Sequence, residues 1–213
     1  MDKNINFVIE KKVERTIQNL EKNNISGYFV QTEEKALNKI KELINEGDTV
    51  SVGGSMTLFE IKAIELLRNE NYNFIDRYEE NLTSEEIKDI NRKSFFSNVF
   101  LTSSNAITEN GELYNVDGRG SRVAPMLYGP DKVIVVVGIN KIVRDLNEAI
   151  MRNKELAAPA NAKRLNKDTP CANVGHCVDC NSKNRICNKY VLIKRDMDLE
   201  RIHVIIVNKE LGY

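Results

Sequence analysis

The first 24 residues alternate apolar and polar positions with the period of an α-helix. Five apolar residues recur every three or four positions in a charged background: Ile5, Ile9, Val13, Ile17 and Leu20. This spacing predicts an amphipathic N-terminal helix over residues 1–24. Two more helical patterns follow, one between Thr32 and Gly47 and one after the turn "GGSMT". The second places four apolar residues on one predicted helix: Leu58, Ile61, Ile64 and Leu67.

Short apolar runs separate these helices and are predicted to form strands. Four of them cover residues 26–31, 48–52, 72–76 and 97–103. A longer run, "DKVIVVVGINKIV" (131–143), is rich in β-branched residues, which is typical of a central strand buried on both faces. Regular alternation of strands and helices predicts an α/β fold with a mostly parallel sheet covered by helices.

Two segments interrupt this alternation. Asn110-Gly111, between "NAIT" and "ELYNV", predicts a tight hairpin inserted in the sheet. Residues 169–188 form a C-terminal cysteine-rich excursion, after which "YVLIKR" and "RIHVIIV" are expected to complete the same sheet. We expect residues 1–213 to form a single domain, because no linker or repeat divides them.

The composition of the chain limits which kinds of partner the protein is expected to bind. The chain has 213 residues, enough to bury a core without cross-links, and 31 basic residues balance 31 acidic ones. A neutral balance argues against a general nucleic-acid or anionic-membrane partner, because both need a positive field. The N-terminus lacks the pattern of a secretory signal, and the apolar run "VIVVV" is far too short to span a membrane. A cytoplasmic location is therefore expected, and a homo-oligomer is left open.

The turn "SVGGSMT" has the composition of an anion-binding loop. Gly53, Gly54, Ser55 and Thr57 stand where a strand feeds a helix. Glycines let backbone N–H groups approach an anion, and ligands of open α/β sheets bind at the carboxyl ends of strands. The spacing is neither a dinucleotide fingerprint nor a Walker A loop. The alternative is a tight turn in which Ser55 or Thr57 only caps the helix.

The hairpin region concentrates charged and amide side chains. Candidates for substrate binding are Asn105, Arg119 and Arg122, and candidates for acid–base or nucleophilic catalysis are Glu109 and Asp117. A carboxylate beside two guanidinium groups can act as base or nucleophile while the arginines hold an anionic substrate. The alternative is an exposed hairpin with ordinary surface ion pairs.

All four cysteines lie within seventeen residues, spaced C-x5-C-x2-C-x6-C: Cys171, Cys177, Cys180 and Cys187. Disulfides are disfavoured in a reducing compartment. Structural zinc sites usually have two C-x2-C pairs, whereas a single pair with unequal flanking gaps is closer to ferredoxin-like iron–sulfur arrangements. The sequence favours an iron–sulfur cluster, with zinc or metal-free thiols as alternatives. His176 lies among the cysteines and is expected to be a solvated neighbour.

Three long stretches resemble the LUD-domain (lactate-utilisation) family, in particular a branch with a four-cysteine segment near the C-terminus. They are "NAITENGELYNVDGRGSRVAPMLYGPDKVIVVVGINKIV", "AAPANAKRL" and "TPCANVGHCVDCNSKNRICN". The resemblance implies a fold like that of sugar-phosphate isomerases and CoA transferases. It also implies that "GGSMT" is a phosphate-binding loop and that "TENG" carries a catalytic glutamate, Glu109. "ELYNVDG" departs from the glycine pattern of the transferases. Characterised relatives act with iron–sulfur partner proteins in oxidising lactate to pyruvate.

Three functional hypotheses follow. The first is redox metabolism of a small anionic metabolite such as lactate, with an anion-binding cleft and an iron–sulfur cluster. The second is an isomerase or acyl or CoA transferase acting on a phosphorylated or CoA-linked substrate, with a structural zinc. The third is a non-catalytic subunit that senses redox state or binds a partner.

Overall fold

A computed structural model of the chain describes residues 2–213. The helices are α1 (Lys3–Lys22), α2 (Glu33–Leu43), α3 (Met56–Glu60), α4 (Ala63–Asn69), α5 (Ser84–Lys93), α6 (Ala124–Leu127), α7 (Leu146–Arg152), α8 (Ala158–Arg164) and α9 (Pro170–Val174). The strands are β1 (Ile25–Val30), β2 (Thr49–Val52), β3 (Asn73–Ile75), β4 (Val99–Thr102), β5 (Ala106–Thr108), β6 (Leu113–Asp117), β7 (Lys132–Gly138), β8 (Ile142–Val143), β9 (Lys189–Ile193) and β10 (Ile202–Val207). A π-helical turn, Asn153–Ala157, joins α7 to α8.

The main sheet has six parallel strands in the order β1-β10-β7-β4-β2-β3. Both of its faces are buried. Ile134 and Val136 of β7 pack with α2, α3 and α4, whereas Val133 and Val135 pack with α1 and the second sheet. Burial on both sides explains the β-branched run in β7. The predicted α/β class with a mostly parallel, helix-covered sheet is confirmed.

A second sheet of four strands, in the order β8-β5-β6-β9, corrects the prediction of one sheet. The hairpin β5–β6 is antiparallel as predicted, but it pairs with β8 and β9 instead of entering the main sheet. The predicted strand over 131–143 therefore ends at Gly138, and its last residues form β8. The separate sheet lets Ile107, Leu113 and Ile193 pack against the face of the main sheet that carries Val133.

The helix predicted after "GGSMT" is broken in two. Lys62 has a left-handed backbone (φ 61°) between α3 and α4. The four apolar residues that predicted one helix all remain buried in one cluster: Leu58, Ile61, Ile64 and Leu67. The apolar pattern thus predicted the buried face correctly but not the break, because both halves bury the same stripe.

The sequence signals for the starts of α2 and α5 and for the hairpin turn are confirmed. Thr32 caps α2, and Thr83 forms a capping box with Glu86 at the start of α5. Gly111 in the hairpin turn has φ 77°, and a Cβ there would lie 2.5 Å from the backbone of Asn19 in α1. Only glycine fits this contact, so the hairpin and the N-terminal helix are packed closely together. None of the helices in residues 2–213 combines the length and the apolar character that a membrane crossing requires.

Candidate functional site

A cleft of about 280 Å³ lies at the carboxyl ends of β2, β4 and β7. Strand β2 leads to Gly54 and Ser55 in its wall, β4 leads to Ser103 to Asn105, and β7 leads through a short turn to Lys141. The carboxyl ends of parallel strands are where open α/β sheets bind ligands, because the connecting loops diverge there. The volume suits a small metabolite.

Arg122 is the centre of the buried network on one side of the cleft. Its guanidinium donates to four oxygen atoms: the carbonyls of Ser103 (2.8 Å) and Val116 (3.0 Å), and the side-chain oxygens of Asn115 (2.6 Å) and Asn105 (2.8 Å). Its Nε lies 3.6 Å from Asp117. Because these partners occupy the guanidinium, Arg122 fixes the loops after β4 and β6 in place.

The predicted anion loop divides into two parts. Gly54 and Ser55 line the cleft, and Ser55 also caps α3 by accepting from the N–H of Leu58 (3.3 Å). Gly53 is buried behind it, where a Cβ would lie 2.8 Å from the side chain of Arg122 and 2.7 Å from Thr102. This glycine therefore serves close packing between strands. The structure brings together in the cleft wall Gly54, Ser55, Asn105, Asp117 and Arg122 of the predicted set.

Lys141 is the cleft residue that sequence reasoning missed. It is 3% exposed, and its Nζ donates to the hydroxyls of Thr57 and Ser103, both at 3.0 Å. Burial lowers the pKa of Lys141 to about 7, with further lowering by the positive charges of Arg152 and Arg122. A buried lysine with such a pKa is typical of functional sites, because either protonation state is accessible at neutral pH.

The cleft is electropositive. Its basic side chains are Arg77, Arg122, Lys141 and Arg164, whereas Asp117 is the acidic one within the described residues 2–213. Arg164 donates to the neutral amide oxygen of Asn161, at 2.8 and 3.1 Å, and also contacts the phenol group of Tyr213. These groups favour a negatively charged ligand.

Glu109 and Arg119 do not lie in the cleft wall. Glu109 forms an ion pair with Arg15 of α1 (2.9 Å), and its backbone N–H donates to the carbonyl of Val143. Arg119 is exposed. The catalytic role of Glu109 stays a prediction from the resemblance, and its surroundings are those of a contact between the hairpin and α1.

We expect Glu109→Gln to lower the free energy of unfolding by less than about 1 kcal/mol, because Arg15 is exposed and surface ion pairs contribute little. Anion binding in the cleft should not change. Urea denaturation and ligand titration of Glu109→Gln, Arg15→Gln and the double variant measure both effects. A tenfold loss of anion affinity in Glu109→Gln alone would contradict this expectation and show that Glu109 takes part in anion binding.

The cysteine segment packs against the cleft. The N–H of Cys177 donates to the carbonyl of Lys154 in the π-helical turn (2.9 Å), and that of Asn188 donates to the carbonyl of Asp117 (3.1 Å). Arg185 donates to the carbonyls of Cys180 (2.5 Å) and Cys187 (2.8 Å). These contacts hold the predicted excursion against β6 and the turn before α8.

The four cysteines are free thiols that line one cavity of about 20 Å³. Burial raises the pKa of Cys187 to about 11, with smaller contributions from the other three cysteines. Within residues 2–213, no group of three or more His, Cys, Asp or Glu side chains has the geometry to hold a metal ion. The sulfurs are thus neighbours, but they are not arranged as a formed metal site. His176 is exposed and does not line the cavity.

The cysteine cavity and the cleft share a wall. Ala158, Ile186 and Cys187 line both. The two sites meet because residues 186–188 run beside the end of β6, where Asp117 enters the cleft wall. Cys187 is therefore the cysteine that lines both the cleft and the cysteine cavity.

The residues that sequence reasoning missed have weak signals in the chain. Ser103 and Ser104 follow a buried strand, and Lys141 is a single charge between "VIVVVGIN" and "IV". A polar residue directly after a central strand is a signal for the ligand edge of a parallel sheet. Arg77 carries this signal in a weaker form, because it follows the edge strand β3. Asn153 carries none, because it reaches the cleft from the π-helical turn after α7.

Comparison with known proteins places the chain in a family. The sequence model of the LUD domain matches residues 13–207. No curated protein matches the chain. Among solved structures, a DUF162 family protein from Deinococcus radiodurans is similar, with 16% identity over 93% of this chain and 96% of that chain and a TM-score of 0.49.

Two further structures match about half of the chain. eIF2B beta from Chaetomium thermophilum has 13% identity over 55% of this chain and 44% of that chain, with a TM-score of 0.38. Ribose 5-phosphate isomerase from Plasmodium falciparum has 14% identity over 53% and 52%, with a TM-score of 0.34. We draw no function from structures at these levels of similarity. The LUD-domain match, in contrast, spans most of the chain, and the protein belongs to the LUD-domain family.

Proposed function

We propose that this protein binds a small anionic carboxylate, such as lactate or its oxidised product, in the cleft and serves its redox metabolism in the cytoplasm. The four cysteines would hold an iron–sulfur cluster beside that ligand. The observation that carries the proposal is the shared wall, in which Cys187 lines both the cleft and the cysteine cavity.

The cleft supports the choice of a small anion. Its volume of about 280 Å³ suits a small metabolite, and within residues 2–213 its basic side chains outnumber the acidic one, Asp117. Arg77 and Arg164 line it without an ion-pair partner in residues 2–213. Arginine suits planar carboxylates because its N–H groups match the two oxygen atoms. Lactate is favoured within this class by membership of the lactate-utilisation family.

The donor chemistry of the cysteine cavity suits iron or zinc. Four free thiols face one small space, and the N–H of Asp179 donates to the sulfur of Cys177 (3.4 Å). N–H donors to sulfur stabilise thiolates and tune bound clusters. A cavity of about 20 Å³ has room for one small ion, so a cluster requires the sulfurs to move apart. When bound, such a cluster would exchange single electrons, with iron–sulfur partner proteins as its proposed redox partners.

The size of the cysteine cavity also favours a second candidate function. A single zinc ion fits that volume without expansion and would be purely structural. The protein would then be a non-redox enzyme, an isomerase or acyl transferase, on a phosphorylated or CoA-linked anion. Lys141 would supply its acid–base chemistry, because a lysine with a pKa of about 7 exchanges protons at neutral pH.

Metal analysis of anaerobically purified protein separates these candidates. Iron with acid-labile sulfide and a brown colour would support the redox proposal. One zinc per chain without iron would exclude the cluster and favour the second candidate. Protein that takes up neither iron nor zinc would exclude a metal centre at the cysteines.

We expect Cys180→Ser to lose most of the bound metal, since it removes one of four thiolate ligands, and to lower the melting temperature of the metal-loaded protein. Asn181→Ala is the matched control, because Asn181 is exposed and adjacent. Metal content and thermal denaturation are measured for both variants. Equal metal content in the cysteine variant and the control would remove Cys180 from the ligand set.

A further inference from the structure

Lys141 is a buried amine that faces the cleft without a carboxylate partner. Its Nζ contacts two neutral hydroxyls, Thr57 and Ser103. The segment Leu211–Gly212 covers it: a Cβ on Gly212 would lie 3.3 Å from Nζ, and the N–H of Leu211 donates to Asn140 (3.1 Å). Lys141 is also one of the residues that line the cleft.

The groups around Lys141 disfavour its charged form. The positive charges of Arg152 and Arg122 lower the pKa of Lys141, and the negative charge of Glu60 opposes this lowering only in part. Arg152 donates to the carbonyls of Asn140 (3.0 Å) and Asn105 (2.7 Å), and its buried Nη2 has no partner within residues 2–213. Desolvation beside other cations is a known way to keep a lysine neutral and nucleophilic.

We propose that Lys141 forms an imine with the carbonyl carbon of a small 2-oxo carboxylate bound in the cleft. This inference rests on the proposed anion-binding cleft and is independent of a metal at the cysteines. The substrate carboxylate would pair with the cleft arginines, Arg77 and Arg164, which have no ion-pair partner of their own in residues 2–213. The carbonyl group would then lie toward the buried amine.

The reaction balances without another reactant. Nζ attacks the carbonyl carbon, a C=N bond replaces the C=O bond, and the carbonyl oxygen leaves as water with the two amine protons. The hydroxyls of Thr57 and Ser103, each 3.0 Å from Nζ, are placed to relay those protons. No oxidant or reductant is consumed, and hydrolysis returns the free amine.

Reductive trapping tests the proposal. The full-length protein is incubated at pH 7 with pyruvate, a small 2-oxo acid, and sodium cyanoborohydride, and modified peptides are identified by mass spectrometry. At this pH about half of the Lys141 amine is neutral, against roughly one part in a few thousand for an ordinary lysine. We expect labelling of Lys141 to exceed that of Lys35, an exposed lysine of α2, by roughly a hundredfold or more. Lactate, which has no carbonyl carbon to attack, should give no adduct.

Two variants and a binding measurement make the outcome specific. Lys141→Arg keeps the charge but cannot form an imine and should lose the adduct, while Lys35→Arg should keep it. Binding of pyruvate is measured separately by calorimetry. Binding without selective labelling of Lys141 would overturn the imine and leave the anion cleft standing. Absence of pyruvate binding would overturn both the imine and this choice of ligand.

Discussion

Replacing Arg122 with methionine should lower the free energy of unfolding by about 3–5 kcal/mol. The guanidinium satisfies four oxygen atoms, two in the loop after β4 (Ser103 O and Asn105 Oδ1) and two in strand β6 (Asn115 Oδ1 and Val116 O). Methionine replaces the aliphatic part of the arginine side chain but donates nothing, so these buried oxygens lose a charged donor and Asp117 loses its counter-charge. Burying polar groups without partners costs far more than the loss of a surface contact.

Urea denaturation of Arg122→Met and Arg164→Met provides the measurement and its control. Arg164 lines the same cleft but is exposed, and its partners are the uncharged side chains of Asn161 and Tyr213. We expect Arg164→Met to change the unfolding free energy by less than about 1 kcal/mol while weakening anion binding. If Arg122→Met is no less stable than the control, the network around Arg122 does not hold these segments.

Replacing Lys141 with methionine should instead stabilise the protein at pH 6.5 by about 2 kcal/mol or more. Burial lowers the pKa of Lys141 to about 7, against 10.5 for the free side chain, so protonating it in the folded state is unfavourable. Between those two pKa values the unfolded chain binds more protons than the folded one. The stability of the wild-type protein should therefore rise with pH through this window, and the penalty is greatest below pH 7.

Equilibrium unfolding at pH 6.5, 7.5 and 8.5 checks the sign. The wild-type protein and Lys35→Met should gain about 1–2 kcal/mol across this range, and Lys141→Met should gain much less. The range stops at pH 8.5 because the raised pKa of Cys187, about 11, makes stability fall once unfolded thiols ionise. A wild-type curve that is flat between pH 6.5 and 8.5 would mean that Lys141 remains charged in the folded protein.

Together these variants measure how Arg122 and Lys141, two cations of the cleft, each affect the free energy of unfolding. We expect Arg122 to stabilise the fold, because its guanidinium makes four hydrogen bonds, and Lys141 to destabilise it, because its amine is desolvated and bonded only by two hydroxyls. Residues kept at a cost to stability are concentrated at functional sites. This contrast is why the cleft is our candidate site.

Much of the fold could be predicted because its signals are local. The helical period over α1, the cap at Thr32, the capping box at Thr83 and the hairpin at Gly111 each depend on residues a few positions apart. The second sheet could not be predicted in this way. The apolar residues between 131 and 143 do not alternate regularly with polar ones, so periodicity does not show that the last residues leave β7 to pair with β5.

The candidate site was predicted in part for the same reason. Gly54, Ser55, Asn105, Asp117 and Arg122 lie in loops that sequence composition singles out, and they meet in the cleft. Glu109 lies in an equally polar segment, but the turn after β5 places it against Arg15 of α1 and outside the cleft wall. Composition does not distinguish these two outcomes, because side-chain direction depends on register and sheet assignment.

The sequence by itself determined the α/β class, the parallel main sheet, the family and the grouping of four thiols, since these follow from periodicity and from residues close together in the chain. Only the tertiary structure decided that Lys141, which is 38 residues from Ser103 and 84 from Thr57, is buried against both. It also decided that Cys187 lines both the cysteine cavity and the cleft. Burial and the proximity of like charges set the chemistry of a lysine, and both arise from packing between distant segments.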